Sequence, residues 1–234
     1  VLAQSGDINI TAKTSGATVH MAQSGYTMTL GSASGRLVTS SSSNIAMSAD
    51  NIYWGALTVN STGQFSLTPV SSSFAQDIYT SYFTFTGISG LTIGSTGNTY
   101  SVFVNTTVSV NGNVSLLAPS GSTADVAVSG SLTASGSSVV MDAARTAYVS
   151  GTLTVTGANS TTQMKAKEHV YATGAITING TGSNTFTVMA GRDFYLNSAI
   201  TGASGKPLTV NIYTDVDNSG GGAIVLNTSS SITT

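Results

Sequence analysis

A near-repeat constrains this chain more than any other feature. Three stretches share it: residues 141–155 (MDAARTAYVSGTLTV), 164–178 (MKAKEHVYATGAITI) and 188–202 (VMAGRDFYLNSAITG). Aligned on Tyr148, Tyr171 and Tyr195, the stretches recur at almost equal intervals. A period of about 20–50 residues is typical of stacked repeats, in which each unit buries its apolar side against the next. The interval falls within that range, so the sequence predicts a solenoid.

Four further columns follow from this alignment. They are Met141, Met164 and Val188; Ala143, Ala166 and Ala190; Leu153, Ile176 and Ile200; and Thr154, Thr177 and Thr201. Similar short runs extend the Leu153 column to other positions: Leu57, Leu91, Val114, Leu132 and Ile224. The step from Leu57 to Leu91 is clearly longer than the later steps, which are all close to the interval of the near-repeat. We therefore expect an irregular insertion near residues 64–90.

Short runs with an apolar residue at every second position recur along the whole chain. Examples are YTMTL, ALTVN, TVSVNG, TLTVTG and FTVMAG. This period of two indicates β-strands, and the Gly, Ser and Asn clusters between the runs are typical of turns. A β-sandwich does not require side chains to recur in register, but a parallel β-helix does. We predict one all-β domain over residues 1–234, a right-handed parallel β-helix of about ten coils and roughly 50 Å in length.

The composition bounds the class of protein. Only 7% of the residues are charged, against about 25% in ordinary globular domains. The hydrophobic fraction of 40% argues against disorder, and the net charge of −2 gives no sign of a nucleic-acid partner. No apolar run approaches the roughly 20 residues of a transmembrane helix. Because the chain has no Cys, disulfides and thiolate metal sites are excluded.

Three stretches carry a resemblance to a known family: AGRDFYLNSAITG, SGDINITA and TDVDNSGGGAIVLNTSSSITT. They resemble the β-helical repeats of filamentous-haemagglutinin-like exoproteins, which are adhesins exported by two-partner secretion, and the match is best over residues 130–234. The resemblance implies an extracellular or cell-surface fibre with a structural or adhesive role. The secretion domain of that family carries an Asn-Pro-Asn-Gly motif, whereas Pro69, Pro119 and Pro207 lie in other contexts.

The two ends of the sequence contain no recognisable cap. VLAQSGDINIT and NTSSSITT hold no charge block and no proline-rich cover, although an open coil exposes unpaired backbone groups and apolar core. With no initiating Met and no signal peptide, the chain reads as a mature or excised segment. We expect an internal or polymerising piece of a fibre. Its expected partners are neighbouring copies, or a glycan or protein of a host or bacterial surface.

Aromatic residues are the main candidates for a binding surface. Tyr148, Tyr171 and Tyr195 lie between apolar positions and are expected to face outward. They either stack on sugar rings or a neighbouring subunit, or stack on one another and stabilise the sheet, which is the interpretation we favour. The aromatic residues of the expected insertion form a second candidate surface, or a lid over one face: Phe74, Tyr79 and Tyr82.

The charged residues cluster in the same coils. Arg145, Glu168 and Arg192 share a column that alternates in sign, as in a ladder that sets the register. The alternative is a polysaccharide-active enzyme, because some sugar-cleaving enzymes use this fold and pair two carboxylates. Glu168 and Asp193 are the only close acidic pair in these coils, and no second acid has a clear role. We therefore predict no enzymatic activity.

Two remaining patterns are weaker. DVDNSGGG at residues 215–222 faintly resembles a calcium loop, but the bidentate Glu of an EF-hand is missing. We expect a tight corner instead, with Asp217 and Asn218 capping the turn and residues 220–222 at positive φ. His20 and His169 are too far apart in sequence to suggest a metal site, so we predict no metal and no cofactor. Thr-x-Thr spacing resembles ice-binding solenoids, but it does not persist from coil to coil.

Overall fold

The chain forms a parallel β-solenoid. The computed structural model describes the backbone of residues 18–29, 36–38, 44–53 and 57–234, and the side chains of residues 44–50 and 58–234. These residues contain 25 strands, numbered in chain order, and one short 3-10 helix, η1 (Thr80–Tyr82). The strand pairs among them are parallel. The predicted all-β parallel solenoid is therefore confirmed.

Sheet 1 has nine strands and forms the first side of the solenoid. In spatial order they are β1 (Thr18–Thr29), β3 (Asn44–Tyr53), β5 (Gln64–Thr68), β8 (Gly90–Gly94), β11 (Asn113–Ala118), β14 (Ser138–Ala143), β17 (Thr161–Ala166), β20 (Asn184–Ala190) and β23 (Leu208–Tyr213). The pairing of β1 with β3 shifts register between Gln23 and Thr27. From β5 to β23 the pairs run without a shift.

Sheet 2 has seven strands and forms the second side. They are β6 (Ile78–Tyr79), β9 (Val102–Val104), β12 (Val126–Val128), β15 (Thr146–Val149), β18 (His169–Ala172), β21 (Phe194–Leu196) and β24 (Ile224–Leu226). Val recurs at the inward positions of these strands, as at Val102, Val126 and Val149, because it fits a pleated surface that is buried on one face.

Two smaller sheets share the third side. Sheet 3 contains β10 (Thr107–Val110), β13 (Ser131–Ala134), β16 (Thr152–Val155), β19 (Ile176–Ile178), β22 (Ala199–Gly202) and β25 (Ser231–Thr233). Sheet 4 contains β2 (Arg36–Val38), β4 (Leu57–Asn60) and β7 (Phe83–Thr86). Strand β7 lies against β10, so sheet 4 continues the side that sheet 3 forms.

Seven complete turns follow one another from β5 to β25, each with one strand on each side. The described residues therefore show fewer three-strand turns than the ten or so coils expected for the whole chain. The handedness of the coil stays a prediction. The expected open start, VLAQSGDINIT, lies outside the described residues, as does the side chain of His20.

The columns read from the near-repeat are confirmed by the strand pairing. Tyr148 pairs with Tyr171 and Tyr171 with Tyr195 in sheet 2. The Met141 and Ala143 columns run through sheet 1, and the Leu153 and Thr154 columns run through sheet 3. Identical side chains thus recur at the spacing of paired strands, about 4.8 Å.

The extension of the Leu153 column is confirmed at Leu132, which pairs with Leu153. It was wrong at Leu91, Val114 and Ile224, and the expected insertion was wrong with it. Leu91 and Val114 lie in sheet 1, Leu132 lies in sheet 3, and Ile224 lies in sheet 2. The residue of the preceding turn that pairs with Leu91 is Phe65, not Leu57. Residues 64–90 are therefore one turn of ordinary length, β5–β6–η1–β7. Because an apolar residue opens an alternating run on all three sides, short runs from different sheets look alike.

The inward side chains form one dry core along the axis. Inner positions such as Phe65, Met141, Phe186 and Ile200 are fully or almost fully buried. Burial of this apolar surface, together with hydrogen bonds between turns, holds the solenoid together. Thr162 is an exception in the core, because it is fully buried and its hydroxyl has no hydrogen-bond partner.

Within the described part of the chain, none of the helical structure has the length and apolar character to span a membrane.

Candidate functional site on the outer face of sheet 2

A column of mostly aromatic side chains runs along the outer face of sheet 2. We call it the aromatic column, and its members in consecutive turns are Tyr79, Phe103, Ala127, Tyr148, Tyr171, Tyr195 and Val225. The residues on either side of each ring point into the core, so alternation turns the rings outward. The column joins the predicted tyrosines to Tyr79, which the sequence had suggested for a separate insertion.

The rings of the aromatic column stack on one another. The centroids of Tyr171 and Tyr195 are 4.7 Å apart with nearly parallel planes. Tyr148 meets Tyr171 edge to face, with centroids 6.1 Å apart. Tyr79 stacks on Phe103 at 4.8 Å. Parallel and edge-to-face pairs are the favoured arrangements of aromatic rings. The tyrosines of the near-repeat therefore stack on one another, which is the arrangement that the sequence analysis favoured.

Burial raises the pKa of two phenols in the aromatic column, Tyr79 and Tyr171. Partial burial is the main reason that the pKa of Tyr79 and of Tyr171 lies above its usual value, and the carboxylates of Asp77 and Asp193 add to the effect. Removal of a phenol proton would place a negative charge in a partly desolvated site close to other negative charges.

The position before four strands of sheet 2, β6, β9, β12 and β21, forms a polar corner. A side chain of one turn there accepts a backbone N–H from the next turn. Asp77 accepts from Ser101 N at 2.9 Å, Ser101 Oγ accepts from Asp125 N at 3.1 Å, and Asp125 accepts from Thr146 N at 3.1 Å. Asp193 does the same for Ala223 N, at 2.9 Å. These bonds hold successive turns in register.

The predicted charged column exists, but its ion pairs lie elsewhere. Backbone hydrogen bonds from Glu168 to Arg145 and from Arg192 to Glu168 place the three residues one above another. The guanidinium of Arg145 nevertheless pairs with Asp125, through Nε at 2.8 Å from Oδ1 and through Nη2 to Oδ2. This hydrogen-bonded carboxylate raises the pKa of Arg145 above its usual value.

Glu168 and Asp193, the acidic pair considered for catalysis, lie in successive turns. The carboxylate of Asp193 is engaged by Ala223 N and by the Tyr195 hydroxyl, 3.2 Å from Oδ2. His169 Nδ1 also lies 3.2 Å from Oδ2, but the two atoms lack hydrogen-bond geometry. The distance alone therefore records proximity rather than a hydrogen bond. The arrangement fixes Asp193 at a corner between turns.

Phe74 does not belong to an outer surface. Its side chain is only 1% exposed and packs in the core, so the expectation that it contacts a partner is corrected. Residues 64–90 had been expected to loop away from the solenoid, but they form one of its turns. Tyr82, in η1, is half-buried and meets Tyr79 edge to face at 5.6 Å.

A groove of about 560 Å³ lies at the polar corner beside the aromatic column. We call it the corner groove. Its lining is Asp77, Thr99, Tyr100, Ser101, Phe103, Gly121, Ser122, Thr123, Asp125 and Arg145. The loops before β9 and β12 form its walls. It combines two aromatic rings, several hydroxyls and a carboxylate–guanidinium pair in one concave surface.

A buried amide fixes one wall of the corner groove. Asn98 is fully buried, and its Nδ2 donates to Tyr100 O at 2.8 Å and to Leu117 O at 3.0 Å. Its Oδ1 accepts from Tyr100 N at 3.2 Å and from Phe74 N at 3.3 Å. Because both backbone groups of Tyr100 are held by one side chain, the ring of Tyr100 is presented from a fixed point.

The 215–222 corner is a turn held by its own side chains. Asp215 accepts from Gly220 N at 2.8 Å and Asp217 accepts from Ser219 N at 3.2 Å. Positive φ occurs at Gly220 and Gly221 as expected, but also at Asp215 and Asn218 and not at the third glycine. Among the described residues, no group of three or more His, Asp or Glu side chains is placed to hold a metal ion.

A column of hydroxyls runs down the outer face of sheet 3. Its members are Ser109, Thr133, Thr154, Thr177, Thr201 and Thr233. The neighbouring outward position is Thr152 in β16 but Ala199 in β22. A single column therefore persists, whereas the two-column Thr-x-Thr array does not.

Sequence reasoning missed four residues of this region: Asn98, Tyr100, Phe103 and Asp125. Phe103 was open to detection, because it follows Tyr79 by one interval of the near-repeat, in a strand with the same alternation. Asn98, Tyr100 and Asp125 lie at corners, where no periodicity marks a residue.

A scan against protein-family models, a search of curated proteins and a search of solved structures each find no match to this chain.

Proposed function

We propose that this chain is a segment of a secreted bacterial surface fibre of the filamentous-haemagglutinin-like kind. It acts as a rigid extracellular rod that mediates surface attachment or matrix assembly, with a right-handed coil. The role is mechanical and adhesive rather than enzymatic, and it involves no cofactor. The resemblance of the repeats to those exoproteins supports the extracellular location.

The observation that carries the proposal is the unbroken register of sheet 1 from β5 to β23. From the turn β8–β10 onward each turn pairs its strands with those of the next on three sides, and the turn β5–β7 does so on two. All of these turns share one core. Such a stack resists bending, because any bend opens sheet hydrogen bonds and apolar contacts together. Seven turns at about 4.8 Å give a rod of about 34 Å over these residues.

The test measures both the shape of the purified chain and its attachment to cells. We expect electron micrographs of the purified chain to show uniform rods, and beads coated with it to adhere to bacterial or animal cells. The matched variant is Gly151→Val. A Cβ at Gly151 would lie 1.8 Å from the carbonyl oxygen of Gly130 in the turn below, so the stack must open. Rods and attachment should be lost together, whereas attachment that survives loss of the rods would contradict the proposal.

A further inference from the structure

We propose that the corner groove binds a neutral saccharide and is the attachment surface of the rod. The inference rests on the proposed function and gives it a site and a class of ligand. The sequence had suggested the tyrosines of the aromatic column for this purpose, but the rings of the column pack against one another. The corner groove offers what the column lacks, a concave surface with rings and polar groups together.

The aromatic part of the groove suits a sugar ring. Tyr100 is 40% exposed, so part of its ring is open to a ligand. Phe103 lines the groove and is backed by the ring of Tyr79, which holds it in place. The C–H face of a pyranose carries partial positive charge and packs against the negative face of an aromatic ring.

The polar part of the groove suits hydroxyl groups. The pair with Asp125 uses two of the five N–H donors of the Arg145 guanidinium. The Arg145 side chain is 45% exposed, so its other donors can be reached by a ligand. Thr99, Ser122 and Thr123 add hydroxyls that both donate and accept. Adjacent donors and acceptors of this kind match the vicinal hydroxyls of a saccharide.

Charge selects a neutral saccharide over an acidic one. The lining contains the carboxylates of Asp77 and Asp125 but only one cation, Arg145. Arg145 is already paired with Asp125, so the side chains that line the groove carry one uncompensated negative charge, that of Asp77. The other cation nearby is Lys167, whose Nζ is held on the backbone oxygen of Gly121. A sialylated or uronic-acid chain would bring a further carboxylate into this field, which costs binding free energy.

The groove is held in shape before a ligand arrives. Asn98 fixes the backbone of Tyr100 on one wall. On the other wall, Lys167 Nζ donates to Gly121 O at 3.2 Å. Because little of the protein has to be ordered on binding, less affinity is lost to conformational entropy. The volume of about 560 Å³ is also of the size found for small-ligand sites.

The experiment measures binding of the full chain to hexasaccharides by calorimetry. The panel contains neutral chains of glucose, mannose and galactose, and acidic chains of uronic acids or with terminal sialic acid. We expect at least one neutral chain to bind. Tyr100→Ala should weaken that binding about tenfold or more, as loss of an aromatic anchor does. Tyr213→Ala, which removes a ring that is 52% exposed on sheet 1, is the matched control and should bind normally.

Three outcomes would overturn the proposal: no neutral chain binds, only acidic chains bind, or Tyr100→Ala binds as the unchanged chain does. A further variant, Tyr171→Ala, separates the two surfaces. If it loses binding and Tyr100→Ala keeps it, the aromatic column and not the groove is the site. Micrographs of the same samples keep the two proposals apart. Rods that attach but bind no saccharide defeat only the groove, whereas the absence of rods defeats the proposed function.

Discussion

Two neighbouring turns have the same alternation of inward and outward residues, but their inward residues differ in burial. In the turn β20–β22, Leu196 and Ile200 are fully buried. In the turn β23–β25, the residues paired with them are Leu226 and Ile232, which are 58% and 38% exposed. The first turn is packed between two others, whereas the second is packed against β20–β22 alone. Alternation within a strand therefore decides whether a side chain points toward the core, but the adjacent turns decide how much of that side chain is buried.

The substitution with the largest expected effect tests this difference between the two turns directly. Leu196→Ala should lower the free energy of unfolding by about 2–5 kcal/mol, because it leaves a cavity in a packed core. Leu226→Ala, the same change one turn further along the same column, should cost less than about 1 kcal/mol, because little apolar burial is lost. Guanidinium denaturation followed by circular dichroism measures both. Equal losses would contradict the comparison and would mean that another surface covers Leu226 in solution.

The second prediction extends the comparison to buried and exposed amides. Asn98→Ala should lower the free energy of unfolding by about 3 kcal/mol, because the backbone groups of Tyr100 and Leu117 lose their buried partner. Asn227→Ala, at an exposed position of the last turn, should change it by no more than about 0.5 kcal/mol. The same denaturation assay applies. A small loss for Asn98→Ala would show that water takes the place of the amide.

A third substitution should stabilise the chain. Thr162→Val replaces a buried hydroxyl that has no partner with a methyl group of nearly the same shape. The expected gain is about 1 kcal/mol in the free energy of unfolding. Thr177→Val, on the outer face of sheet 3, is the control and should be close to neutral. If Thr162→Val loses stability instead, the hydroxyl has a partner in solution.

The smallest effect concerns pH. In the folded chain the pKa of Tyr171 lies above its usual value, chiefly because of burial. The folded state thus favours the neutral phenol. The resulting stabilisation is present below about pH 10 and is lost as the pH rises through the folded pKa. Stability measured from about pH 8 to about pH 11 should fall more steeply for the unchanged chain than for Tyr171→Phe. If the plots of stability against pH are parallel for the two chains, the pKa of Tyr171 is not raised in the folded state.

The near-repeat was sufficient to predict a large part of the fold. Strands, their parallel pairing and the outward tyrosines all follow from a period of two nested inside the much longer period of the stacked turns. Beyond the near-repeat, the same reasoning placed Leu132 correctly, but it failed at Leu91, Val114 and Ile224. Leu57 lies in sheet 4 and Leu91 in sheet 1. Alternation is the same on every side of the solenoid, so it cannot tell one sheet from another.

The candidate site was less predictable than the fold. The tyrosines of the near-repeat were found because strands repeat, whereas Tyr79 was chosen as an aromatic residue of an insertion that the structure does not contain. Tyr100 and Asn98 lie in a loop, where length and side-chain hydrogen bonds vary from turn to turn, and no period marks them. The partner of Arg145 was also missed. A long side chain can contact carboxylates in several turns. Arg145 pairs with Asp125 in the preceding turn rather than with Glu168 in its own column.

By itself the sequence determined which strand side chains of residues 141–202 point outward and how those strands are paired in register, because both depend on local strand geometry and on identical residues stacking. Only the tertiary structure decided which side each strand joins, which inward residues are covered, which carboxylate pairs with Arg145, and that Tyr100 and Phe103 meet in one groove. These properties depend on chain segments that are distant in sequence, brought together by loops of unequal length.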